Sequence, residues 1–212
     1  KVKGHSYQLM YGMFLMPMVN QFHSENRKLK FMEIGLGCSR PGFKKGVDIW
    51  SSMFNSNDEV WMGEFKARCV EKMRQVGRVP ESVHIVTGDQ SKEIDLLRWV
   101  KETGGNFNIF IDDGGHTNMQ IYNTFQVMWP QVVPGGLYFI EDLHVSRHKN
   151  YEDSQGKFIM ADVIKDWMEQ LISSKEQWSI ADVKITHILP KDVRFIMCQS
   201  AGCVLSKCEN LP

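Results

Sequence analysis

"LKFMEIGLG" (residues 29–37) is a short apolar run that ends on Gly-x-Gly. An apolar run of this length, bounded by glycine, reads as a buried strand. Glycines directly behind a strand let a ligand approach the backbone closely. The chain then repeats the pattern, with "EVWMGEF" (59–65), "SVHIVTGD" (82–89), "NFNIFID" (106–112) and "PGGLYFIED" (134–142) as further strands. Between them lie helical stretches: "KARCVEKMRQVG" (66–77) and "SKEIDLLRWVKETGG" (91–105) both stop at glycines. "MQIYNTFQVMW" (119–129) sets Ile121, Tyr122, Phe125, Met128 and Trp129 on one stripe. From Gly37 to Val47 the chain is too short for a helix and a crossover, so 46–55 is read as a helix itself. Residues 7–22 form another, with Leu9, Met10, Met13, Phe14 and Met18 as its apolar face. "FIMADVIKDWMEQLI" (158–172) is a last amphipathic helix, and "VRFIMCQSAGCVLSK" (193–207) folds back as a hairpin around "QSAG".

Strands alternating with helices imply an α/β class: a doubly wound, mainly parallel seven-stranded sheet closed by an antiparallel C-terminal hairpin. The 212 residues suit one domain. Within it, 1–30 is an N-terminal helical segment, 31–145 the core, and 146–212 a lid, a helix and the hairpin. Lys+Arg and Asp+Glu are equal at 25 each, so no global basic field recruits nucleic acid or anionic lipid. No apolar run has the length of a membrane span. The chain begins at Lys1, which leaves an N-terminal targeting or anchor segment open. Five scattered cysteines, an odd number, argue for reduced thiols rather than a disulfide framework. The expected setting is accordingly cytoplasmic. Cys198, Cys203 and Cys208 match no zinc spacing.

In such a sheet, ligands collect at the C-terminal ends of the strands. There the sequence places Glu33, Gly35 and Gly37 after the first strand, Glu64 after the second, Asp89 and Gln90 after the third, and Asp112 and Asp113 after the fourth. Taken singly, Gly-x-Gly reads equally well as a plain tight turn, while Glu64 reads better as a solvated acid and Asp89-Gln90 as an ordinary turn. Arg40 stands where a third glycine would complete a dinucleotide fingerprint, which argues against a nicotinamide enzyme. The fourth and fifth strands share a design: "FIDDGGHTN" (110–118) and "YFIEDLHVS" (138–146) both end in paired acids, and His116 follows the first pair. Three carboxylates at one rim suit a hard divalent cation, Mg2+ by default. His116 reads either as a general base or as a residue satisfied at the next helix's start, and His144 as a substrate-mouth or surface histidine.

This succession of strand ends resembles the class I S-adenosylmethionine-dependent methyltransferases, with their Rossmann-like fold. The resemblance implies that Gly35 and Gly37 pass under the methionine part, Glu64 holds the ribose, and Asp89 and Gln90 flank adenine, with Glu33 and Asp112 also toward the cofactor. "DGGH" (113–116), followed 28 positions after Asp113 by "ED" (141–142), is similar to the metal-dependent sugar O-methyltransferases that act on macrolides. That similarity implies Asp113, Glu141 and Asp142 as metal ligands and His116 as general base. It covers roughly residues 31–145, with "GHSY" (4–7) as a further hint, and departs at Gly115, where the family has serine. The expected activity is methyl transfer from S-adenosylmethionine to a hydroxyl of a small molecule, a sugar or hydroxylated metabolite. Homo-oligomerisation is left open. A hydroxylase-like enzyme of the same fold and a non-catalytic cofactor-binding module are the rival readings.

Overall fold

The computed structural model describes residues 7–38, 43–173 and 185–209. Arg40 and the first three residues of "GHSY" lie outside them. Seven strands form one sheet in the order β3-β2-β1-β4-β5-β7-β6. β1 (Lys30–Ile34), β2 (Glu59–Glu64), β3 (Val83–Thr87), β4 (Phe107–Asp112) and β5 (Val132–Ile140) are parallel, each hydrogen-bonded to its neighbour in that order. β6 (Val193–Gln199) and β7 (Gly202–Lys207) form the hairpin, and β7 runs antiparallel to β5. The strand order reverses between β1 and β4, the place where open α/β sheets leave a crevice. The Gly-x-Gly turn and Asp113 flank that crevice.

Helices cover both faces. Against one face lie the N-terminal helix, with α1 (Gln8–Met10) and α2 (Met16–Ser24) joined by a π turn at Tyr11–Leu15, and α3 (Phe43–Met53) and α4 (Ala67–Gln75). Against the other lie α5 (Glu93–Thr103), α6 (Asn118–Met128) and α7 (Met160–Ile172). The glycine stops act as expected: Gly104 caps α5 in the left-handed region, at φ +76°, where a side chain would be strained. The stripe on α6 is buried at Ile121, Phe125 and Met128.

The N-terminal helix departs from expectation. Leu9 and Met13, expected inside, are 61% and 52% exposed, while Met10, Leu15, Val19 and Phe22 are the buried residues. The spacing from Met10 to Leu15 is five residues, which a π turn satisfies and a regular α-helix does not. The extra residue in that turn moves the buried stripe along the sequence. A second correction concerns the cysteines. Cys38 is bonded to Cys69, and Cys198 to Cys203, leaving Cys208 as the free thiol. The odd count reflected one remainder, not five reduced thiols.

The polar run after β5 is pinned in place. The Asn118 side chain donates to the Ser146 carbonyl at 2.8 Å and accepts from Met160 N at 2.8 Å, while Asp153 accepts from Met119 N at 2.9 Å. One buried asparagine at the start of α6 therefore ties Ser146 and Met160, at the two ends of this run, to the rim.

Candidate active site

A cleft of about 470 Å³ opens at the reversal point, within the size range of small-molecule sites. Gly35, Gly37, Gly63, Glu64, Phe65, Asp89, Gln90 and Asp113 are among its walls. Gly35 has φ +109°, and a Cβ there would come 1.8 Å from the Asp113 carbonyl oxygen. Only glycine lets the first turn pass so close to the fourth strand's end. Glu64 is buried on the cleft wall, and its two carboxylate oxygens accept backbone N–H groups of Cys38 and Lys66, each at 2.9 Å. Its orientation is thereby set by the protein. Asp89 lines the cleft and accepts from Ser91 N at 2.9 Å.

Gln90 reaches the cleft but is engaged elsewhere. Its amide donates to Asp112 at 2.8 Å and Thr124 at 3.1 Å, and accepts from Gly115 N at 2.9 Å. It braces the "DDGGH" turn, so its amide donors are not available to read an adenine edge. Asp112 and Glu33, both expected toward the cofactor, do not line the cleft. Side chains alternate across a strand, and each projects into a helical layer before the strand ends. Asp112 is 1% exposed among α5 and α6, and burial pushes its carboxyl up to about 7 against the hydrogen bond from Gln90. Glu33 faces α3, accepts from Trp50 Nε1 at 2.8 Å, and is pushed up to about 8, again chiefly by burial.

A raised carboxyl costs stability in a defined window. The folded protein keeps the Glu33 proton to about pH 8, whereas the unfolded chain releases it near 4.5, so stability falls as pH rises between those values. Glu33→Gln keeps the acceptor for Trp50 and removes the ionisation. Denaturant melts of the metal-free protein should show the variant more stable by ~1–3 kcal/mol at pH 7.5 and level with wild type below pH 4.5. A variant no more stable at pH 7.5 would show that Glu33 is ionised in the fold.

The acids of β4 and β5 meet beside the cleft. Asp113, His116 and Asp142 each offer a ligand atom, and these atoms lie within 4.8 Å of one another. His116 Nε2 stands 3.4 Å from Asp142 Oδ2 and 3.9 Å from Asp113 Oδ1. His116 and Asp142 both adopt left-handed backbone, at φ +60° and +55°. Neither is glycine, and each such residue costs ~1–3 kcal/mol, a cost that clusters at functional sites. Thr117 caps α6 through a capping box with Gln120, whose amide also fills the space beside Gly115. A serine there would have to displace it. His144 Nδ1 lies 3.9 Å from Asp142 Oδ1, at the edge of the group.

Burial is the main reason that Asp113 is pushed up to about 9, and the charges of Glu141, Glu33 and Asp142 add to it. Glu141 rises to about 7 for the same first reason. It stands outside the three-residue group and accepts a hydrogen bond from the Tyr11 hydroxyl. Tyr7 donates to Asp142 Oδ1 at 2.8 Å. Neither tyrosine stood out in the sequence as a site residue. Their signal is two hydroxyls four residues apart on a mostly apolar stretch, the first of them closing "GHSY".

No family model matches the chain. Over 120 residues it is 30% identical to the mycinamicin VI 2''-O-methyltransferase of Micromonospora griseorubida, covering 56% of this chain and 28% of that one. It is 39% identical over 133 residues to the L-olivosyl-oleandolide 3-O-methyltransferase of Streptomyces antibioticus, covering 62% and 32%. The matched segment is thus under a third of each curated relative. Among solved structures, the MycE methyltransferase of the mycinamycin pathway, in complex with Mg and SAH, aligns with a TM-score of 0.70 at 20% identity, covering 98% of this chain and 51% of that one. A second MycE complex, which also contains mycinamycin VI, aligns equally well, at a TM-score of 0.70. The chain has the class I S-adenosylmethionine-dependent methyltransferase fold and is similar in sequence to the sugar O-methyltransferases of macrolide biosynthesis.

Proposed function

We propose that this chain transfers the methyl group of S-adenosylmethionine to a hydroxyl oxygen of a small molecule, with His116 taking the hydroxyl proton beside a divalent cation. The observation that carries the reading is the double membership of Asp113. It lines the 470 Å³ cleft and also stands in the three-residue group with His116 and Asp142. A cofactor cleft and an acid–base group that share a wall are what a transfer reaction requires. The relatives support it by name, as O-methyltransferases.

Gly35 and Gly37 leave bare backbone for the methionine part, and Glu64 presents its held carboxylate to the ribose hydroxyls. Glu64→Ala should weaken S-adenosylhomocysteine binding by ~1–3 kcal/mol in calorimetry, the cost of losing a charged hydrogen-bond partner. Unchanged affinity would move the ribose contact elsewhere on the cleft wall.

A cation suits the carboxylates of Asp113 and Asp142, with Glu141 close by. Positive charge would also offset the acidic neighbours that add to the burial-driven rise of Asp113 and Glu141. Oxygen donors favour a hard ion such as Mg2+. When bound, such an ion supplies Lewis acidity that lowers the pKa of an adjacent hydroxyl. His116 Nε2 accepts the hydroxyl proton as the oxygen bonds to the sulfonium methyl carbon, and the carbon–sulfur bond breaks to leave S-adenosylhomocysteine. Asp142 Oδ2, 3.4 Å away, stabilises the imidazolium that results. The 4.8 Å grouping favours one second reading, in which His116 is itself a ligand.

The bonded pairs Cys38–Cys69 and Cys198–Cys203 favour an oxidising compartment for this reaction over a reducing one. The test of function is incubation with methyl-labelled S-adenosylmethionine, Mg2+ and a panel of vicinal-diol sugars and catechols. The expected products are S-adenosylhomocysteine and a labelled ether. Oxygenated product without S-adenosylhomocysteine would mean a hydroxylase-like reaction, and binding without turnover on every acceptor a non-catalytic module.

A further inference from the structure

We infer that Tyr7 and Tyr11 are positioning residues for the two acids that end β5, Tyr7 setting Asp142 and Tyr11 setting Glu141. The inference rests on the cation reading above and concerns how this chain shapes its own donors. Consecutive residues at a strand end tend to point apart. Glu141 and Asp142 work at one place only if something directs both. The N-terminal helix, more than a hundred residues away in sequence, does this with two hydroxyls one turn apart.

The contacts are specific. The Tyr11 hydroxyl donates to Glu141 Oε1, while its ring packs edge-on against Trp50 and Phe139, with centroids 6.0 and 5.2 Å away. The Tyr7 hydroxyl donates to Asp142 Oδ1 at 2.8 Å and accepts the Asp142 N–H at 2.9 Å. One hydroxyl thus grips both the backbone and the carboxylate of the residue that sits at φ +55°. It offsets a strained conformation and fixes the carboxylate within it. Both donors are neutral, so they orient the carboxylates without supplying a positive charge that would compete with a cation.

The π turn belongs to the same device. It begins at Tyr11, directly after the α-helical turn that carries Tyr7 towards β5. By taking up one extra residue it keeps Tyr7 and Tyr11 on the acids while Leu15, Val19 and Phe22 still reach the core. A regular helix serves one of these demands at the expense of the other. π turns of this kind are frequent at functional sites.

The experiment uses Tyr7→Phe and Tyr11→Phe in the full chain, with Mn2+ as the probe. Free Mn2+ is counted by electron paramagnetic resonance during titration, and S-adenosylhomocysteine affinity and thermal melting are measured alongside. Each variant should lower Mn2+ affinity ~10-fold, the lower end for losing a hydrogen bond that orients a metal ligand. Cofactor affinity should hold, because neither tyrosine lines the cleft. The effect must also pass through the acid: Tyr11→Phe should cost nothing further in Glu141→Gln, which keeps the three-residue group. The two single variants are independent, so each folded one decides its own half. Wild-type Mn2+ binding with folded variants unchanged within twofold overturns the inference and leaves the cation reading standing. Wild type that takes up no Mn2+ overturns both.

Discussion

Replacing His116 with Asn should lower methyl transfer ~10²–10⁴-fold, the usual contribution of a positioned acid–base group, with the fold and S-adenosylhomocysteine affinity retained. Asn is the variant of choice because His116 holds φ +60°, a region that Asn tolerates better than most residues. The residue is buried at 7% exposure, and its Nε2 faces Asp113 and Asp142. Its loss therefore removes the proton acceptor nearest the acid group. Metal titration separates the two roles open to this residue. Near-wild-type Mn2+ affinity with a collapsed rate marks a base, whereas loss of both marks a ligand. A folded variant that retains nearly full activity on its true acceptor would assign the proton to another group.

The second large effect lies with the carboxylates. Asp113→Asn and Asp142→Asn should each abolish measurable divalent-metal binding and cut turnover by at least ~10²-fold, beyond the loss seen for residues that merely orient a ligand. Chelation of wild type with EDTA should do the same, and Mg2+ should restore it. Asp113→Asn should at the same time stabilise the metal-free protein. In the fold its carboxyl is pushed up to about 9 by burial and by its acidic neighbours, whereas in the unfolded chain it ionises near 3.8. The wild type therefore loses stability as pH rises through that interval, and the amide does not. A higher melting temperature at pH 7.5, together with lost metal binding, would be the trade of stability for function expected at such a site. Full turnover in excess chelator would rule out metal assistance and leave the acids a polar role around His116.

The sheet and its helices were legible because their signals are local. A strand at 29–34 or 107–112 declares itself by an apolar run between turn residues, and α6 by its 3.6-residue stripe. Each depends on residues within a dozen positions. The rim was legible for a related reason. In a parallel sheet all strand ends lie on one edge, so finding "DDGGH" and "ED" after strands brought Asp113, His116 and Asp142 to a common side. Which way a residue on that rim points is another matter, since it depends on the layer that meets it. Trp50 of α3 claims Glu33, and Gln90 claims Asp112. The two disulfides show the same limit, as Cys38 and Cys69 lie 31 positions apart on a turn and a helix whose approach no spacing reveals. The π turn and the tyrosine contacts depend on it most of all. Periodicity alone placed an ordinary helix at 7–22, and only the packing of that helix across β5, 130 positions away for Tyr11 and Glu141, required one turn to widen. Local pattern determined the elements and the edge where chemistry collects, while partners, facing directions and the strain at His116 and Asp142 were decided by contacts distant in sequence, whose energies are settled only when the layers close.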